Sequence, residues 1–95
     1  MKAIIYTKTQ PICPYCQMAK QYLSEHGISY QEFVYDDYDT RQTMYDELGL
    51  QDRERTVPQI FIINADGTQT RIGSYSDLLS SDLTVKMVGD FSEDF

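Results

Sequence analysis

Near the N-terminus the apolar positions change period in a way that predicts a strand, a loop and a helix. Lys2 to Thr7, centred on Ala-Ile-Ile-Tyr, is a short continuous apolar run and predicts a buried strand. Lys8 to Ile12, with Pro11 inside it, predicts a loop. From Cys13 onward the apolar residues fall at Tyr15, Met18, Ala19, Tyr22 and Leu23, the i, i+3, i+4, i+7, i+8 stripe of an amphipathic helix. Pro14 suits the first turn of that helix and Gly27 its C-terminal cap.

Ile28 to Tyr35, rich in β-branched and aromatic residues, predicts a second strand that ends at Asp36-Asp37. Asp37 or Asp39 can cap a second helix that turns Met44, Tyr45 and Leu48 inward and stops at Gly49. Gln59 to Ile63 and Thr68 to Ile72 flank Asn64-Ala65-Asp66-Gly67, the pattern of a β-hairpin. Gly73-Ser74 then leads into a short helix from about Ser76, with Leu78 and Leu79 expected inward. The order β-α-β-α-β-β-α implies an α/β fold with a mixed four-stranded sheet flanked by helices. Residues 1–89 are expected to form one domain and residues 90–95 an acidic tail, while Leu83 to Val88 suits a helix or an extended segment equally.

Length bounds this picture. A chain of 95 residues can bury about 65% of its surface on folding, enough for one modest core. No uninterrupted apolar run exceeds that of Ile60 to Ile63, far short of the roughly 20 residues of a membrane helix. The N-terminus also lacks the apolar stretch of a secretory signal, so a cytoplasmic protein with no membrane partner is expected. In a reducing cytosol, two cysteines suggest a reactive or metal-binding pair rather than a permanent staple.

Eight Lys and Arg against fifteen Asp and Glu give a net charge of −7, which argues against binding a nucleic-acid backbone. The charge is unevenly spread. Met1 to Ser24 holds Lys2, Lys8 and Lys20 and no acid, and both cysteines lie in that basic stretch.

Cys13-Pro14-Tyr15-Cys16 is the informative motif. Two cysteines at i and i+3 of a helix start can approach closely enough for a disulfide. Cys13 would sit at the helix N-terminus, where free N–H groups and the macrodipole favour a thiolate, and Lys8 pushes the same way. Cys16, one turn inside, suits a resolving role. Two alternatives compete. A structural zinc site usually takes four ligands, and only the two cysteines and the distant His26 are on offer. Unreactive core cysteines are the other possibility. His26, beside Gly27, stands roughly 20 Å along the helix from Cys13 and fits a C-terminal cation better than a catalytic base. Asp36-Asp37-Tyr38-Asp39 lacks the spacing of a calcium loop and fits a helix start.

The Cys-Pro-Tyr-Cys tetrad after a first strand, Thr56-Val57-Pro58 before another, and Gly73-Ser74-Tyr75-Ser76-Asp77 before a short helix together resemble a dithiol glutaredoxin, from Lys2 to about Ser80. The resemblance implies a thioredoxin fold and a glutathione-dependent oxidoreductase acting through Cys13 and Cys16. It implies that Pro58 is a cis-proline facing the site, and that Val57, after Thr56, pairs its backbone with glutathione's cysteine. Gly73, Ser76 and Asp77 match the segment that holds the γ-glutamyl carboxylate. Tyr15 matches a groove-lining tyrosine, and Arg41 the position facing the glycyl carboxylate. As partners it implies glutathione and disulfide-containing or glutathionylated proteins, with ribonucleotide reductase as one electron acceptor; a monomer without metal is expected. Trp-Cys-Gly-Pro-Cys, usual in thioredoxins, is absent.

The chain departs from the family pattern in three places. Lys8 stands five residues before Cys13 rather than three, because Gln10-Pro11 look inserted. Leu50 to Arg55 is longer than usual, so Arg53 and Arg55 could replace or assist Arg41, and the hairpin is extended. Ser74 replaces the second glycine of the usual pair. These departures keep two alternatives open: a thioredoxin-like reductant recharged by a flavoprotein, and a glutathione-ligated iron–sulfur carrier, which Pro14 disfavours.

Overall fold

In the computed structural model, which describes residues 2–81, strand β1 (Lys2–Thr7) lies inside a four-stranded sheet of order β2-β1-β3-β4. It pairs in parallel with β2 (Ser29–Val34), Ile5 opposite Glu32, and antiparallel with β3 (Gln59–Ile63), Ile5 opposite Ile60. β4 (Gln69–Gly73) closes the second edge against β3. The parallel pair needs a crossover, which α1 (Pro14–Glu25) supplies. α2 (Tyr38–Glu47) and α3 (Tyr75–Ser80) complete the expected order, and one 3-10 turn, Asp52–Glu54, was not anticipated. The 83–88 segment and the acidic tail at 90–95 lie outside the described residues.

Strand alternation sorts the side chains into two cores. Ala3 and Ile5 of β1 and Ile60 and Ile62 of β3 pack with Ala19 and Leu23 of α1 and Leu78 of α3. Leu23 and Leu78 are fully buried, each worth about 2 kcal/mol in apolar area removed from water. Tyr6 belongs to the other cluster, with Tyr35, Met44, Tyr45, Leu50 and Val57 around α2. The sheet is thus sandwiched, with α1 and α3 on one face and α2 on the other.

The expected stripe of α1 is rotated. Its buried line is Cys16, Ala19 and Leu23, while Tyr15 and Met18 are exposed. Cysteine packs as a small apolar residue, and counting Cys16 as one yields an i, i+3, i+7 line that lets the helix settle closely on the sheet. Leu79 is likewise exposed rather than inward, because six-residue α3 offers the core one buried position, Leu78.

β4 starts at Gln69 and runs to Gly73, one residue later than expected. The Asn64 side-chain amide, bonded to the Thr68 and Thr70 hydroxyls, keeps Thr68 within the turn. A register shift between Ile60 and Phe61 pairs Ile60 with Gly73, where a φ of 112° turns the chain out of the sheet toward α3. Only glycine adopts that backbone readily.

Candidate active site

Cys13 is the N-cap of α1, with extended backbone, and its Sγ accepts the Cys16 N–H at 3.2 Å. Pro14 occupies the first helical position, where a missing N–H costs nothing, and no acid stands in that first turn. Cys13 and Cys16 are joined as a disulfide, with α-carbons 5.3 Å apart. Cys16 is 1% exposed and Cys13 6%, so Cys13 is the sulfur nearer solvent. The helix N-terminus and the Cys16 N–H both stabilise negative charge on Cys13 Sγ once the bond is reduced. The Val57 carbonyl oxygen lies 3.9 Å from that sulfur, and the Val57–Pro58 peptide is cis.

A cleft of about 440 Å³ opens beside Cys13 and takes in Lys8, Tyr15, Arg41, Thr56 and Val57 from the expected set. No Asp or Glu lines it. An adjoining hollow of about 360 Å³ shares Tyr15, Thr56 and Val57, adds Pro58, and ends at Ser74, Tyr75 and Ser76. The Tyr15 and Tyr75 rings stand 6.1 Å apart across it. Gly73 and Asp77 lie behind this end rather than in it.

The longer loop does not carry Lys8 away. The Asp36 carboxylate accepts from the Thr9 N–H, the Thr9 hydroxyl at 2.7 Å and the Gln10 N–H at 3.1 Å, folding the extra residues against the end of β2. Those bonds, Thr9 foremost, hold the Asp36 carboxyl below its usual pKa. Lys8 therefore lines the cleft. The other two lysines of the basic stretch do not. Lys20 Nζ is 3.0 Å from Glu32 on the sheet, and Lys2 belongs to a different hollow with Ser29 and Ile63.

Arg41 and Arg55 supply the remaining positive charge of the cleft. Arg41 Nη1 donates to the Tyr35 carbonyl at 2.9 Å and its guanidinium sits 5.9 Å from the Tyr38 ring centroid. Arg55 is held by Asp46 at 2.7 Å and donates from Nε to the Leu50 carbonyl. Burial raises the Tyr45 phenol between them, against the lowering influence of Arg41 and Arg55. Arg53 faces elsewhere, into a hollow with Arg71 and Asp77.

Gln59 is a residue sequence reasoning missed. It is 1% exposed, and its Nε2 donates to the Glu54 carbonyl at 2.8 Å and the Thr56 carbonyl at 2.7 Å. Its Oε1 accepts from Arg71 Nε at 3.3 Å, and Arg71 reaches Glu54 at the same distance. Side-chain amides that bond backbone in this way leave no sequence period, although a glutamine inside the apolar run Pro58 to Ile63 was a usable signal.

α3 starts at Tyr75, one residue earlier than expected. Ser74 is its N-cap, and Asp77 reaches back to the Ser74 N–H at 2.9 Å as half of a capping box. Ser76 thus sits in the first turn, where N–H groups have no intrahelical acceptor. A Cβ at Gly73 would collide with the Asp77 carboxylate. At the far end of α1, His26 is the C-cap, its Nδ1 2.8 Å from the Tyr22 carbonyl and its ring stacked on Tyr22. Among the described residues no cluster of His, Cys, Asp and Glu is arranged to hold a metal ion, and no helix is long and apolar enough to cross a membrane.

Comparison with known proteins gives a consistent answer. The glutaredoxin family model matches residues 3–66. Glutaredoxin 3 of Escherichia coli K12 is 38% identical over 78 residues, covering 82% of each chain. A glutaredoxin of Neisseria meningitidis serogroup B is 34% identical over 70 residues, covering 74% of each. The crystal structure of glutaredoxin 1 from Francisella tularensis, complexed with cacodylate, superposes with a TM-score of 0.69 at 36% identity, covering 88% of this chain and 94% of that one. With its dithiol at the head of the first helix and its thioredoxin-like sheet, this chain belongs to the glutaredoxin family of thiol–disulfide oxidoreductases.

Proposed function

We propose that glutathione is the reductant of this dithiol, and that the protein reduces both protein disulfides and glutathione mixed disulfides. The observation that carries the reading is an acid-free cleft with Lys8, Arg41 and Arg55, opening on Cys13 in a chain of net charge −7. Glutathione is anionic at neutral pH, and near cations outweigh distant acids that salt screens beyond about 8 Å.

In this reading Cys13 thiolate attacks the target disulfide, forming a mixed disulfide and expelling one thiolate. Cys16 thiolate then attacks Cys13 Sγ, releasing the second partner thiol and leaving the Cys13–Cys16 disulfide. One glutathione opens that bond as a Cys13 mixed disulfide, and a second removes it as glutathione disulfide, restoring the dithiol. Lys8 and Arg41, assisted by Arg55, hold the glycyl carboxylate. Tyr15 lines the groove. The backbone of Thr56 and Val57, ahead of Pro58, pairs with the cysteinyl residue as an added strand. The first turn of α3, at Ser76, receives the γ-glutamyl end, with Gly73 and Asp77 shaping that turn from behind.

A monomer in a reducing cytosol suits this cycle, with disulfide or glutathionylated proteins as partners and ribonucleotide reductase among the acceptors. The place of Lys8 in the cleft supports glutathione over recharging by a flavoprotein. In a glutathione-coupled assay, Cys13→Ser should abolish turnover while Cys16→Ser retains deglutathionylation. Full activity in Cys13→Ser would end the assignment.

A further inference from the structure

We infer that Ile12 and Tyr38, flanking the cleft beside Cys13, form the docking surface for an acidic polypeptide that carries an apolar side chain next to the disulfide being reduced. Ile12 is 72% exposed and Tyr38 65%, among the most exposed large apolar residues described, yet both line the same cleft as Cys13. Single exposed apolar residues are ordinary, but two converging on a reactive sulfur mark a contact surface. Neither serves the glutathione contacts proposed above.

The two residues belong to one pre-organised unit. Asp36 ties the loop carrying Ile12 to the segment that leads into α2, whose first residue is Tyr38. Arg41 bonds the carbonyls of Tyr35 and Asp36 and lies over the Tyr38 ring. A surface held in place before contact loses less entropy on binding. Charge sets the partner's chemistry. No carboxylate lines the cleft that Lys8 and Arg41 face, and Arg55 beside them is paired with Asp46 outside it, so an acidic side chain of the partner would enter at Lys8 and Arg41, where glutathione's carboxylate enters later in the cycle. The exchange balances. The Cys13 and Cys16 thiols are oxidised to their disulfide, and the partner's disulfide is reduced to two thiols. The inference rests on this exchange and not on glutathione being the reductant.

The test uses the full chain, pre-reduced, with short cyclic disulfide peptides. One carries Leu and Glu beside a cysteine, a second has Ser for Leu, a third Lys for Glu, and cystamine is the control. The wild-type protein should reduce the first peptide about fivefold to tenfold faster than either variant peptide, given the weight of one partly buried leucine or one ion pair. High salt should erase the Glu preference and spare the Leu preference. Ile12→Ser combined with Tyr38→Ser should abolish the Leu preference, leaving the Glu preference and the cystamine rate unchanged. Equal rates for all three peptides, or a Leu preference that survives in the double variant, would overturn the inference. Failure to reduce cystamine would instead overturn the exchange at Cys13 itself.

Discussion

Replacing Gln59 by Leu tests whether the loop that presents Thr56 and Val57 is held from below. The substitution keeps the volume and removes bonds to the Glu54 and Thr56 carbonyls and to Arg71 Nε, at 2.8, 2.7 and 3.3 Å. At about 0.5–1.5 kcal/mol each, the gross loss is roughly 1.5–4.5 kcal/mol. Rehydration of the partly buried carbonyls and the apolar gain of Leu bring the midpoint of about 3 kcal/mol down to roughly 2 kcal/mol. For a domain of this size that lowers Tm by about 8–16 °C. Arg71→Leu is the graded control. It removes one bond to Gln59 and an ion pair to Glu54 whose side chains are 34% and 33% exposed, worth about 0.5–1 kcal/mol. Thermal melts followed by circular dichroism give both values. The KM for a glutathionylated peptide should also rise, by about tenfold in Gln59→Leu and less in Arg71→Leu, while cystamine reduction stays unchanged. If Gln59→Leu lowers Tm no further than Arg71→Leu, the network does not support the loop and the reasoning fails.

Lys8→Gln and Arg41→Gln should each weaken glutathione binding by about 0.5–1.5 kcal/mol, less at high salt, which glutathione kinetics at two ionic strengths will measure. Lys8→Gln should also raise the Cys13 pKa, read from thiolate absorbance during titration. Partial burial pushes the Glu32 carboxyl up, but hydrogen bonds from Thr7 and Lys20 and the Lys20 charge outweigh it, so its pKa lies below the unfolded 4.5. A depressed carboxyl stabilises the fold above the unfolded pKa and loses that contribution as pH falls through the folded one. Glu32→Gln should therefore lower the unfolding free energy at neutral pH by about 1 kcal/mol, read from denaturant melts, and make no difference in strong acid. Gly73→Ala should destabilise by about 1–3 kcal/mol through its φ of 112° and the collision with Asp77. Adding Asp77→Ala should recover only the collision, and full recovery in melts would show that the backbone is unstrained.

The elements were legible because their signals are local: Pro14 and Gly27 bracket α1, Asp37 caps α2, and Asn64 to Gly67 turn the hairpin. Most of the residues that gather around the cleft were legible as well, since three short motifs carry them and the sheet order brings the motifs to one end. What escaped depends on contacts far apart in the chain. Linear spacing moved Lys8 away from Cys13, whereas Asp36, 27 residues after Thr9, folds the surplus back. Arg55 enters the cleft because Asp46 and a 3-10 turn hold it there, and no period announces such a turn. The basic stretch suggested three cations near the cysteines, yet Lys20 is spent on Glu32 and Lys2 sits elsewhere, so α2 and the 50–55 segment supply the field instead. The rotation of α1 misled because Tyr15 and Met18 are apolar yet exposed, Tyr15 in the lining of the cleft.

The central claim is that glutathione, and not a flavoprotein, returns the Cys13–Cys16 disulfide to its dithiol. The most direct measurement incubates the oxidised protein separately with glutathione and with thioredoxin reductase plus NADPH, and follows the thiols by mass spectrometry. The account predicts rapid reduction by glutathione through a transient adduct on Cys13, the same adduct that Cys16→Ser forms and retains when treated with glutathione disulfide, and little reduction by the flavoprotein. A disulfide that persists in glutathione and is opened by the reductase would contradict it.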